Sequence, residues 1–304
     1  MAGGSGTRTA FAVRRRPNQG MHTVGTTTHV TTANLAPIRL HGHDAQPVAV
    51  DAEGDARLDA LFDEMSGDGR LLVVSPRTGD ERLRRRLETA QAAIAGHREV
   101  VRLVTGLPPL GARVLGALAA SLAPLAPSTG VLVEGLRLIE RELIIVAVLP
   151  TVLRLSEPRP AFGQRMRSLL PGAAFLARLQ PDPAVTAVDR NRPMPEMLAD
   201  ADPASTGVVV SAPPRLGWAA DALAGAFPDA HVTRTDPVAG AAGRWGTAAA
   251  AEAVAYPTDA EALAAELFAH PGVPCPWCGE PVVTVPCPIC GHDRNRNLVQ
   301  ERST

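Results

Sequence analysis

The chain has 304 residues, 45% hydrophobic and 20% charged, with a formal net charge of −1. That is the profile of a globular protein that buries a core and has no general attraction for nucleic acid or an anionic membrane. Its 30 basic residues are all arginine. The lack of lysine excludes a Walker-type phosphate loop, pyridoxal-phosphate enzymes and lysine aldolases. No apolar run reaches the roughly 18 residues needed to span a bilayer, so a cytoplasmic protein is expected.

Met1 to about Ala36 is rich in Gly, Ser and Thr and carries no apolar period, which reads as a disordered tail. Met21 is an alternative start. His41, His43 and Asp44 have ligand-like spacing but no later cluster to complete a site, so a turn is expected. Leu58, Leu61, Phe62 and Met65 share one helical face, and Arg70 to Ser75 is a buried-type strand. Pro76 to Asp80 is a turn, and Leu83, Leu87 and Ile94 mark a helix. Glu99 to Val104 is a strand, followed by Gly106 to Gly111, which does not match a dinucleotide-binding glycine fingerprint. Val114, Leu115, Leu118 and Leu122 predict the next helix, and Val131 to Val133 a strand. Leu136 to Leu149 reads as two strands around a turn near Glu134-Gly135, with a buried helix as the alternative.

Ser156 to Pro160 is Pro-rich and marks a boundary. Phe162 to Leu170 is a short helix, and Pro181 to Pro203 a long loop. Gly207 to Ser211 is a strand, followed by a helix with Leu216, Ala219, Leu223 and Phe227 on one face. His231 to Thr233 and Ala253 to Tyr256 are strands, with a Gly/Ala-rich loop over Val238 to Gly246. Thr258, with Glu261 three residues on, predicts a capping box for a helix ending near Phe268.

Alternating strands and helices predict an α/β fold, a mostly parallel sheet with flanking helices. The expected organisation is a tail over 1–45, a first α/β unit over 46–155, a second over 156–270 that may share its sheet, and a C-terminal metal segment over 271–304. Leu71 to Arg77 and Val208 to Arg215 resemble each other: a strand ending in Ser, a Pro-containing turn, then Arg. This suggests two similar halves. In doubly wound sheets ligands sit at strand carboxyl ends, so Ser75, Arg77, Thr78, Ser211 and Arg215 are candidates for holding a phosphate or carboxylate. The competing reading is that the serines cap helices and the arginines are solvated.

All four cysteines lie in two Cys-x-x-Cys pairs, Cys275/Cys278 and Cys287/Cys290, separated by Gly279 to Pro286. Four thiolates so spaced make a closed tetrahedral Zn²⁺ site of the structural kind. Each first cysteine is followed by Pro and each second by Gly, which takes the positive φ of the turn. Val282 to Val285 reads as one short strand between the pairs. Pro274 to Asp293 resembles a zinc ribbon of the C-P-x-C-G type, which implies a structural zinc held by those four cysteines. His270 and His292 flank the site as bystanders.

No Gly-x-Ser-x-Gly elbow and no His-Glu-x-x-His helix is present, so no catalytic residue is named and the enzyme question stays open. The favoured function is a non-catalytic, zinc-containing adaptor with a protein partner. The alternative is a transferase or hydrolase acting on a phosphorylated or carboxylated small molecule at the strand ends.

Overall fold

The computed structural model describes the backbone of residues 28–31 and 70–76, and residues 100–192, 194, 205–238 and 240–293. The expected helices near Leu58 and Leu83, the His41 to Asp44 turn, and Arg77 and Thr78 lie outside them.

Strands β1 (Thr28–Thr31), β2 (Arg70–Pro76) and β3 (Val100–Thr105) pair in parallel in that order. Val101, Leu103 and Thr105 are buried while Val104 is exposed, the period-two alternation of a sheet covered on one face. Helix α1 (Pro109–Leu122) follows directly, with Pro in its first turn, where a missing N–H costs nothing. Leu110, Val114, Leu115, Leu118 and Leu122 are all essentially inaccessible. A helix apolar all round belongs in the centre, and α1 packs on β1 and β2 as well as on the six-stranded sheet.

That sheet is built from β4 (Ile144–Leu149), β5 (Phe175–Gln180), β6 (Ala184–Ala187), β7 (Thr206–Ser211), β8 (His231–Thr235) and β9 (Ala251–Pro257), in the order β6-β5-β4-β9-β7-β8. Only β7 and β8 pair in parallel; the other neighbours are antiparallel. Ile145, Ala147, Leu149, Val209 and Val254 face the core around α1. Val146, Val148, Val208, Val210 and Ala253 face the opposite core, with Ala219 and Leu223 of α4 (Gly217–Gly225). Cover on both faces explains why these strands read as unbroken apolar runs. The fold is α/β with flanking helices. β4, from the expected first unit, is paired with β5 and β9 from the second.

The stretch from 128 to 149 corrects the expected strands. Thr129–Glu142 is one helix, α2, and only Ile144–Leu149 is a strand. Ser128 caps α2, its Oγ accepting from Val131 N. Val131, Leu132, Gly135, Leu136 and Ile139 are buried, an i, i+4 helical stripe. The mixed polarity of residues 136–142 is therefore that of an amphipathic helix. Two smaller corrections concern the last elements. Helix α6 (Ala260–Leu267) is capped by Asp259, whose carboxylate accepts from Ala262 N at 2.9 Å, not by Thr258. The loop expected over Val238 to Gly246 contains a short helix, α5 (Ala241–Trp245). A further short helix, α3 (Phe162–Arg167), lies where one was expected.

Candidate metal centre and ligand cleft

The four cysteines converge. Their Sγ atoms lie within 4.8 Å of one another, with Cys275 to Cys290 and Cys278 to Cys287 both at 3.8 Å. A tetrahedron with metal–sulfur bonds of about 2.3 Å has edges of about 3.8 Å, whereas a disulfide would draw two sulfurs to about 2.05 Å. The four cysteines lie close enough to hold a metal ion. The two knuckles are built alike. Gly279 N donates to Cys275 O at 2.8 Å and Gly291 N to Cys287 O at 2.9 Å, and both glycines have φ near +75°. Cys275 N donates to Glu280 O and Cys287 N to His292 O. The His292 ring stacks on Trp277. The backbone N–H of Cys278 holds the Cys275 thiol down at about 6, while burial pushes Cys278 up to about 12 and raises Cys287 as well. A bound metal ion would pull all four to thiolate.

The ribbon is fastened to α2 through two buried carboxylates. Glu134 accepts from Val283 N at 2.5 Å, from Thr284 N at 2.6 Å and from the Thr284 hydroxyl. Glu280 accepts from Gly130 N at 3.0 Å, in the first turn of α2, where a negative charge is favoured. Ser128 Oγ donates to Pro281 O at 3.0 Å. A Cβ on Gly130 would meet Pro281 O at 2.4 Å, so only glycine permits this approach. The short strand expected over Val282 to Val285 is consequently reduced to β11 (Pro281–Val282), paired with β10 (Val273–Pro274). Beyond it, the backbone donors of Val283 and Thr284 turn to Glu134.

Between α2, α6, the ends of β7 and β9, and the ribbon lies a cleft of about 900 Å³. Leu138, Val283 and Val285 line it and are 51%, 51% and 43% exposed. Arg137 and Arg141, one turn apart on α2, stand on the same wall, with His270 and Tyr256 also lining the space. At the far end of α2, Glu140 Oε1 accepts from Gly106 N at 3.0 Å and from the Thr105 hydroxyl.

A buried polar group lies in the core. Glu252 sits on β9, on the α1 side of the sheet, and burial pushes its carboxyl up to about 7, with Trp245 and Arg113 pulling the other way. Glu252 Oε2, Trp245 Nε1 and Arg244 Nε are buried without a hydrogen-bond partner. Glu252 shares its face of β9 with Val254 and Tyr256, both in the core around α1.

The strand-end candidates are distributed differently. Ser75 lies in β2 and Ser211 at the end of β7, in separate sheets. Ser211 Oγ is buried and donates to Asp236 O at 3.0 Å. Arg215 is exposed in the turn Pro214–Leu216.

No family model and no curated protein matches the chain. Solved structures do. A DegV family protein from Eubacterium eligens loaded with heptadecanoic acid superposes with a TM-score of 0.45 at 12% identity, over 66% of this chain and 77% of its own. A DegV family protein from Corynebacterium glutamicum gives 0.44 at 13%, over 76% and 97%. A DegV family protein from Thermus thermophilus, described by its fatty acid binding, gives 0.44 at 14%, over 66% and 76%. The expected zinc adaptor with a protein partner is corrected here. Where these similar structures are described by what they bind, the species is a fatty acid. In this chain the ribbon face that meets α2 is occupied internally and closes one wall of a cleft of small-molecule size.

Proposed function

We propose that the protein binds a long-chain carboxylic acid in the cleft between α2, α6 and the ribbon. The observation that carries this is the pairing of uncovered apolar side chains, Leu138, Val283 and Val285, with two arginines on one wall of a 900 Å³ space. Leaving such side chains open to water forgoes roughly 25 cal/mol for each Å² that an alkyl chain would cover. Arg137 and Arg141 supply the planar donors that suit a carboxylate. The volume lies within the usual range of roughly 300–1,000 Å³ for small-molecule sites.

The ribbon in this reading is structural. Four soft thiolates with no open position suit Zn²⁺, held by Cys275, Cys278, Cys287 and Cys290. The metal would keep Val283 to Pro286 in place as a cleft wall and take no part in chemistry.

The test is calorimetry of the zinc-loaded protein with a series of saturated fatty acids, heptadecanoic acid among them, and the methyl ester of one. Saturable one-to-one binding that tightens by about fourfold per added CH₂ is expected, from roughly 0.8 kcal/mol each. Arg137→Ala with Arg141→Ala should weaken the acid and leave the ester unchanged. Affinity independent of chain length, or no binding, would overturn the reading.

A further inference from the structure

Helix α3 is built inside out. Its inward contacts are made by two polar side chains, Gln164 and Ser168. Gln164 Nε2 donates to Val185 O at 2.5 Å, and its Oε1 accepts from Ala161 N at 2.8 Å. One turn on, Ser168 Oγ accepts from Val152 N at 3.0 Å and donates to Gln164 O at 3.1 Å. The apolar side chains point out: Phe162, Met166 and Leu169, at i, i+4 and i+7, are 79%, 51% and 61% exposed. Leu170 and Leu153 are exposed beside them. A soluble helix normally turns its apolar stripe to the core; this one is fastened by its polar face and offers the apolar one.

The charge along its own stretch of chain is one-sided. Arg154, Arg159, Arg165 and Arg167 are all exposed, and the only acid between Thr151 and Gly172 is Glu157. Glu157 is already paired with Arg244 at 3.4 Å. The chain as a whole carries −1, so this basic cluster is a local feature that bulk charge conceals. Aromatic and aliphatic side chains interspersed along the chain with arginine are the composition of a face that lies in a lipid headgroup layer. A second copy of the same face would set arginine against arginine, which disfavours self-association.

We propose that this face, centred on Phe162, Met166, Leu169 and Leu170, docks on an anionic lipid bilayer, with the four arginines contacting headgroup phosphates. The proposal does not rest on the cleft's ligand, and vesicles free of fatty acid test it separately.

The experiment is vesicle co-sedimentation of the full chain. Wild type should bind vesicles containing phosphatidylglycerol, bind pure phosphatidylcholine far more weakly, and release as salt rises. Phe162→Asp with Leu169→Asp should abolish binding. Arg165→Gln with Arg167→Gln should lower partitioning by about fivefold per charge removed. All four positions are exposed, so thermal midpoints should be unchanged, which separates lost docking from lost folding. Wild type that ignores anionic vesicles, or a Phe162→Asp/Leu169→Asp protein that binds as well as wild type, would overturn the proposal. So would a dimer in solution that Phe162→Asp dissolves, since the face would then close on its own copy.

Discussion

The ribbon and the segment around α3 are both short surface pieces of about twenty residues with too few apolar groups to hold themselves. They reach order by opposite routes. In the ribbon, Cys275, Cys287 and Val282 turn inward and form a small cluster of their own, and two carboxylates tie it to α2. In the α3 segment, Gln164 and Ser168 are the inward groups, and the large apolar side chains are left outside. The cysteine-centred piece buries Val282 with two of its cysteines and turns Val283 and Val285 to the cleft. The piece held by Gln164 and Ser168 leaves its large apolar side chains facing away from the protein.

The strongest way to break this contrast is Cys278→Ser. Binding energy at a four-thiolate site is local folding energy, so metal content should fall to background and residues 273–292 should lose protection in hydrogen exchange. Residues 153–170 should keep theirs. Loss of protection in both would mean that the two pieces are one cooperative unit. Glu134→Ala comes next. It strips two backbone donors and a hydroxyl of their acceptor, a change of roughly 3 kcal/mol or more at a buried carboxylate. Here the ribbon should retain its metal while detaching from α2, read as proteolysis at residues 281–286 with unchanged metal content. If metal is lost too, docking and metal binding are not separable.

Glu252 sharpens the comparison from the core, as a buried carboxyl fastened by neither device. Its pKa is raised from an ordinary 4.5 to about 7. The unfolded chain therefore releases this proton first as pH rises. The group's contribution to stability is greatest below about 4.5, falls between about 4.5 and 7, and is level above that. Glu252→Gln should flatten that slope and leave the variant more stable than wild type at pH 8, on the order of 2–3 kcal/mol. Equal stability of the two proteins from pH 5 to 8 would contradict this. The smallest effect belongs to Gln164→Ala, about 1–2 kcal/mol felt locally. Hydrogen exchange in 161–170 should quicken while the global midpoint barely moves.

The cysteine cluster was legible because its pattern is local: four cysteines and two turn glycines within seventeen residues. Helix α1 was legible because its apolar positions repeat without interruption. α2 was not, because Val131-Leu-Val133 looks like a strand until Ser128 is known to cap it. The partners of Glu134 lie 149 and 150 residues away, beyond any pattern in a window. The cleft is assembled from separate stretches between Val131 and Pro286, none of which carries a signature of its own. The apolar face of α3 hides for a related reason. Phe162, Met166 and Leu169 have the period of a core helix, and only the inward hydrogen bonds of Gln164 and Ser168 reveal which way it turns.

Glu134 has a consequence for ancestry. A buried acid in mid-helix is costly unless something meets it, and here the ribbon's own backbone amides do so. The side chain that must be inherited with the four cysteines is therefore Glu134, together with the glycine at 130. In descendants that have lost the cysteines, both positions are released, and an apolar residue at 134 would be the stable replacement. Acid, glycine and thiols should thus be gained and lost as one character, though a hundred and forty residues of chain separate them.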